Sequence, residues 1–409
     1  MAEIVLAGAD LVLPDRILTA GTLVVDEGRI MEIRAVAREE AGADLRGHLI
    51  VPGFVDAHVH GTGGFDSLGD GDAVRAMAAH LPGHGVTGFS PTSMSCAPAA
   101  LSRFLAQVRR AREAPAPRSA RVLPAHVEGP FLHPDLRGAQ HPQWLRSPRR
   151  ALDGWRDGVN GESGMPLSRD DGADTLRALE TGLPDVGTVT LAPEIEGGLD
   201  LLDWLVQREI RVSVGHSAAS YDEAIAAFTA GASGATHLFN CMPPLRHRDP
   251  GVAGAVLRSD GVVAEVIADG VHVHPAVVRL AIAAKGPAAV MAVTDGTALS
   301  GASAGATGRL GDQSIEVRDG AARLADGRLA GSVATMDRVF RTLVNEVGLS
   351  LVDAAIVCST TPSRVLGLRS TGALVRDALA DFVVIDRKLE IVQTYIGGEL
   401  AFTRPNTRT

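Results

Sequence analysis

Between residues 54 and 295 the chain alternates short apolar runs with Ala-rich stretches, and this alternation limits the possible fold more than any other feature of the sequence. The runs at 54–60, 88–93, 121–128, 186–192, 212–216, 235–238, 262–268 and 290–295 predict eight strands. Helices are predicted over 71–81 and 97–112, the second with Ala100, Phe104 and Val108 on one face. Eight strand–helix repeats over about 240 residues match the length of a closed (β/α)8 barrel of the TIM type. An open doubly wound sheet is the competing architecture, but no Gly-x-Gly-x-x-Gly follows the first strand.

Both ends have a different texture. Ile4-Val5-Leu6-Ala7, Thr22 to Val25 and Ile30 to Ile33 read as short strands, with Asp26-Glu27-Gly28 as a turn; Asp381 to Asp386 and Ile391 to Gly398 repeat the pattern at the far end. The expectation is therefore one small β-sandwich domain built from residues 1–52 and 371–409 around a barrel of residues 53–370. The connection 129–185, with an Arg-rich stretch at 146–150 and a Gly/Asp/Ser-rich run at 153–174, is long enough to be a lid, a binding segment or a disordered insertion. Residues 301–311 form a second loose stretch.

A formal charge of -9 disfavours nucleic acid and anionic membrane as partners. No apolar run of eighteen residues is present, so a membrane span is not expected. Asp10 and Asp15 interrupt the N-terminal apolar stretch, so a signal-like leader is not expected. Three cysteines without metal-type spacing fit a reducing compartment, and the cytoplasm is the expected location.

In a barrel the chemistry lies at the carboxyl ends of the strands. Those positions hold His58 and His60, Glu128, His216, His237 and Asp295. Side chains two apart in a strand share a face, so His58 and His60 project together. Imidazole and carboxylate at these sites are the ligands of a catalytic divalent metal, Zn2+ first and other transition metals next. Such an ion lowers the pKa of bound water and polarises a carbonyl. Asp295 beside that water is placed to take its proton and pass it to a leaving amine, which gives amide hydrolysis.

Six segments carry a resemblance: His-Val-His-Gly at 58–61, His-Val-Glu-Gly-Pro-Phe at 126–131, Val-Gly-His-Ser at 214–217, Ala-Thr-His-Leu-Phe-Asn at 235–240, Ile-Ala-Asp-Gly-Val-His at 267–272 and Val-Thr-Asp at 293–295. Together they resemble the N-acetylglucosamine-6-phosphate deacetylases of the amidohydrolase superfamily. The resemblance implies removal of acetate from N-acetyl-D-glucosamine 6-phosphate, with the galactosamine epimer or another N-acylated small molecule as the alternative, and a catalytically silent barrel as the reading from a different class. It implies Glu128, His216 and His237 as ligands of the principal ion and Asp295 as the acid/base. Members differ at the first-strand pair; both histidines are present here, so a second ion held by His58, His60 and Glu128 becomes an option. Asn240, the backbone at Cys241, Arg248 and His272 resemble sugar-phosphate contacts, Leu329-Ala330-Gly331 the segment closing over the sugar. Similar enzymes work as homodimers whose neighbour helps to bind phosphate. Arg248 suits that role physically, since a guanidinium bonds phosphate oxygens in pairs. His274, by contrast, precedes Pro275 at a helix start and is expected to be structural.

Two tests are internal to the sequence. Its only lysines, Lys285 and Lys388, lie off the barrel strands, which excludes a metal-bridging carboxylated lysine and leaves Glu128 as the bridge. Where the family usually has Gly-(Ala or Thr)-His, this chain has Gly138-Ala139-Gln140-His141. Either Gln140 replaces the histidine as donor to the acetyl carbonyl, or a one-residue shift brings in His141.

Overall fold

The computed structural model of the protein describes residues 3–35, 43–160 and 172–405. Among these, eight parallel strands follow one another in chain order around a barrel: Phe54–Val59, Val86–Ser93, Ala125–Glu128, Val186–Leu191, Arg211–Val214, Gly234–Ala235, Val263–Ile267 and Val290–Val293. The last strand meets the first through Asp295 N–H donating to His58 O at 3.0 Å and Gly61 N–H donating to Gly296 O at 2.8 Å. Nearly all strand residues are buried, with Val and Ala the commonest among them, as a sheet covered on both faces requires.

The covering helices bury one apolar stripe each. The helix Pro98–Glu113 starts on a proline, whose missing N–H would be unpaired there anyway, and packs Leu101, Phe104, Leu105 and Val108 inward. Below the strand ends, the barrel interior is polar. His126 Nε2, Thr190 Oγ1, Thr236 Oγ1 and Ser213 Oγ are joined in a chain of hydrogen bonds, each 2.7 Å long.

The two ends of the chain share a separate sheet in the order Glu399–Thr403, Ile391–Ile396, Phe382–Ile385, Leu49–Pro52, Ile4–Val12, Ile17–Asp26, Arg29–Arg34. Its own apolar cluster includes Leu6, Leu11, Leu23, Ile30, Ile50 and Phe382, and Phe382 stacks on Tyr395 at 4.6 Å. Leu49–Pro52 runs on into the first barrel strand through Gly53, where an added Cβ would lie 2.4 Å from Thr87. That junction sets the start of the strand that carries His58 and His60.

Two connections differ from expectation. Within 301–311, Thr307–Leu310 is a strand in an antiparallel sheet with Gln313–Arg318 and Ala321–Arg323. Gly308, Arg309 and Gly311 hide its β character, because the strand gains its stability from packing Leu310 and Ile315 together rather than from local propensity. The 129–185 connection holds helices at Pro148–Asn160 and Ala173–Thr181, while 161–171 of its Gly/Asp/Ser-rich run lies outside the described residues.

Among the described residues, the ion pair of Arg121 with Asp381 joins barrel and terminal sheet. Asp381, 2 % exposed, accepts from Arg121 Nη1 and from the Gly397 N–H. Removing the cation leaves the buried carboxylate with the Gly397 N–H but no countercharge. Arg121→Ala is expected to lower stability by about 3–5 kcal/mol, measured as the shift in urea unfolding; a change within error would mean that the pair contributes nothing.

Candidate active site

The six strand-end residues converge. Glu128 Oε1 lies 3.1 Å from His216 Nε2 and 3.1 Å from His237 Nε2, and those two nitrogens are 3.0 Å apart. Glu128 Oε2 faces the other way, 3.3 Å from His60 Nε2. Asp295 Oδ1 is 3.2 Å from His60 Nε2 and 3.4 Å from His58 Nε2. The side chains thus form two adjoining groups, Glu128/His216/His237 and His58/His60/Asp295, with Glu128 spanning both.

Backbone geometry aims these side chains. His216, His237 and Asp295 adopt φ of 50°, 30° and 48° as their strands end. Non-glycine residues rarely enter the left-handed region, and such strain persists where the surroundings hold it. All six residues are at most 7 % exposed.

Burial works against charge on Glu128, but the field of His216 and hydrogen bonds from His216, His237 and His60 outweigh it and hold the carboxyl well below its ordinary value. Burial likewise opposes a proton on His60, yet Asp295 and Glu128 pull its pKa up to about 10. His216 and His237 are raised as well, against their burial, by Cys241 and Glu128 for the first and chiefly by Glu128 for the second. Two buried carboxylates thus call for positive charge among donors that are imidazole nitrogens and carboxylate oxygens. A borderline divalent cation satisfies both demands.

Beside this cluster opens a cleft of about 280 Å³, near the lower end of the size range of small-molecule sites. Ala139, Gln140, Asn240, Cys241, His272, Leu329 and Gly331 line it together with His60, Glu128, His216, His237 and Asp295. Gln140 is 2 % exposed; its Oε1 accepts from Ser95 N–H at 2.7 Å and its Nε2 donates to Glu128 Oε2 at 2.5 Å. Gly331, at φ 61°, sits where a Cβ would meet Asp295 O at 2.8 Å, so the chain passes over the acid only as glycine.

Three sequence-predicted contacts do not line the cleft. His141 instead caps the short helical turn Pro142–Trp144, accepting from Gln143 N–H. Ala330 is fully buried in the apolar cluster with Leu310 and Ile315, because its N–H is paired to Ala322 O. Arg248 is exposed, turned outward by a loop closed between Arg246 and Asp249. His274 is structural as expected, capping Pro275–Lys285.

The residues 49–401 match the model of the amidohydrolase family. The chain belongs to the amidohydrolase family. The N-acetylglucosamine-6-phosphate deacetylase of Rattus norvegicus is 36% identical to this amidohydrolase over 97% of its length and 94% of the rat protein. The N-acetylgalactosamine-6-phosphate deacetylase of Escherichia coli O157:H7 is 32% identical, covering 86% of this chain and 88% of its own. Among solved structures, a variant N-acetyl-D-glucosamine-6-phosphate deacetylase from Mycobacterium smegmatis, in complex with N-acetyl-D-glucosamine-6-phosphate, superposes with a TM-score of 0.86 at 32% identity, covering 98% of this chain and 100% of that one.

Sequence reasoning missed two residues that this amidohydrolase places at or under the cleft. Arg328 lines its mouth, paired with Asp326 at 2.7 Å and donating to Gly138 O at 2.5 Å. Glu265, inside the barrel, lies 3.1 Å from His58 Nδ1. An acidic residue amid Val262-Val263-Ala264 and Val266-Ile267 was the signal for the second; nothing distinguished Arg328 from the other arginines.

Proposed function

We propose that the protein is a hydrolase that removes the acetyl group of N-acetyl-D-glucosamine 6-phosphate, giving glucosamine 6-phosphate and acetate. The observation that carries this reading is the convergence of Glu128, His216, His237, His58, His60 and Asp295 at the foot of one cleft. Glu128, His216 and His237 would hold the principal divalent ion, Zn2+ by its donor set, and His58, His60 and Asp295 with Glu128 as bridge would hold a second. A divalent ion there lowers the pKa of water and polarises a carbonyl.

The chain's own groups do the rest. Asp295, buried and facing the histidine pair, takes the proton of the attacking water and delivers it to the sugar nitrogen as the C–N bond breaks. The Ser95 N–H fixes the Gln140 amide so that its NH2 end faces the cleft, and its second N–H remains for the acetyl oxygen. Gln140→Ala is therefore expected to lower kcat by about 100-fold, in the range of a lost oxyanion donor, and His141→Ala to leave it near wild type. The reverse ranking in steady-state kinetics would hand the role to His141.

Asn240, Cys241 and His272 line the cleft and would contact the sugar phosphate. Arg248, exposed in its own chain, fits a homodimer in which it serves the neighbour's cleft; sedimentation at the mass of a single chain throughout would remove that reading. A cytoplasmic location fits three free thiols. Among the described residues no helix is long and apolar enough to cross a membrane.

Acetate release from N-acetylglucosamine 6-phosphate, its galactosamine epimer and the unphosphorylated sugars, at defined metal loading, tests the assignment. Turnover is expected to be fastest with the glucosamine ester. Faster turnover of the epimer would move the assignment to the alternative substrate, and no turnover of any would end it.

A further inference from the structure

Glu265, in the strand Val263–Ile267, is an acidic side chain inside the barrel that none of the steps above uses. It is 2 % exposed, and a carboxylate so placed is costly unless paired. Its partner is His58: Glu265 Oε2 lies 3.1 Å from His58 Nδ1. An ionised carboxylate only accepts, so the imidazole donates from Nδ1, and the lone pair of the neutral ring is left on Nε2. That atom faces the cluster, 3.2 Å from His60 Nε2, 3.4 Å from Asp295 Oδ1 and 3.6 Å from Glu128 Oε1.

The ring is also held from the side. His126 packs edge-on against His58, with centroids 4.5 Å apart and planes at 73°, while its own Nε2 is engaged by Thr190. The other histidines of the cluster are held differently. His216 Nδ1 donates to the backbone oxygen of Leu136 at 2.8 Å, and Nδ1 of His60 and of His237 has no hydrogen-bond partner among the described residues. Of the four, His58 is the one backed by a carboxylate among those residues.

We propose that Glu265 is the positioning residue that makes His58 a metal ligand, and that it thereby governs occupancy of the His58/His60/Asp295 position separately from that of Glu128/His216/His237. The proposal rests on the reading of two ion positions given above. Glu265, His58 and His126 also bring ligand atoms within 4.8 Å of one another. A cation among them is not the better reading, because an Nδ1 that gives its hydrogen to Glu265 has no lone pair to offer there.

Titration of the metal-free full chain with Zn2+ against a competing chromophoric chelator tests this in the wild type, Glu265→Gln, His58→Gln and the double variant. The wild type is expected to take two ions. Glu265→Gln keeps the shape of the side chain and is expected to bind the first ion unchanged and the second about 10–100-fold more weakly, the usual effect of removing a group that orients a ligand. Glu265→Gln added to His58→Gln is expected to change nothing further. Nitrogen-15 shifts of His58 in the zinc-loaded wild type supply a test that needs no variant: Nδ1 should carry the proton and Nε2 the metal. Two ions bound with unchanged affinity in Glu265→Gln, or ligation through Nδ1, would overturn the role of Glu265 alone. A single ion in the wild type would overturn it together with the two-position reading, and a third ion lost in Glu265→Gln would make the carboxylate a ligand instead.

Discussion

Asp295→Asn is expected to lower kcat by about 10³–10⁴-fold, toward the upper end of what a positioned acid/base contributes, with little change in KM. Asparagine is the informative replacement because Asp295 has φ 48°, a conformation that Asn tolerates nearly as well as Asp. It also keeps the side chain's size within 3.2–3.4 Å of the histidine pair and leaves the backbone bonds of residue 295 to His58 and Ser332 in place. What it removes is the ability to take a proton from water and return it to nitrogen. Single-turnover acetate release, with ion content measured on the same sample, separates chemistry from loading. A variant that turns over within tenfold of wild type at equal ion content would relieve Asp295 of this role.

Glu128→Gln should affect both ion positions at once. One oxygen of Glu128 faces His216 and His237 and the other faces His60, so loss of its charge weakens both groups rather than one. Each affinity is expected to fall by more than about 100-fold, beyond the effect of an orienting group, and activity to fall below detection at stoichiometric metal. His216→Ala, which touches one group, is expected to spare the second ion. Ion content by atomic emission after gel filtration reads both results. Full loading of Glu128→Gln would show that the carboxylate bridges nothing.

The barrel was legible because its strands, buried on both faces, recur as short runs rich in Val and Ala, a pattern that needs no partner to be seen. The clustered side chains were legible because a strand end fixes where a side chain stands, and His58, His60, Glu128, His216, His237 and Asp295 each lie at the end of such a run. The sheet containing Thr307–Leu310 was not, since its stability comes from contacts with Ile315 and Leu324, made only after the chain has turned back on itself. Where Arg248 and His141 stand was not legible for a related reason: residue type marks what a side chain could bind, whereas the turns at Arg246–Asp249 and Pro142–Trp144 decide which way it points. Glu265 shows the converse. A charge in the middle of an apolar strand is visible in the sequence, but its partner stands 207 residues earlier in the chain.

The hydrogen bonds from Asp295 to His58 and from Gly61 to Gly296 join the final strand to the opening one. During synthesis, the two leading imidazoles leave the ribosome more than half the chain's length ahead of the acid they will face. Of the two groups, His58/His60/Asp295 is the later to be complete, since Glu128, His216 and His237 all precede Asp295 in the chain. Closure of the ring, rather than the making of any one strand, brings the opening imidazoles and the acid face to face.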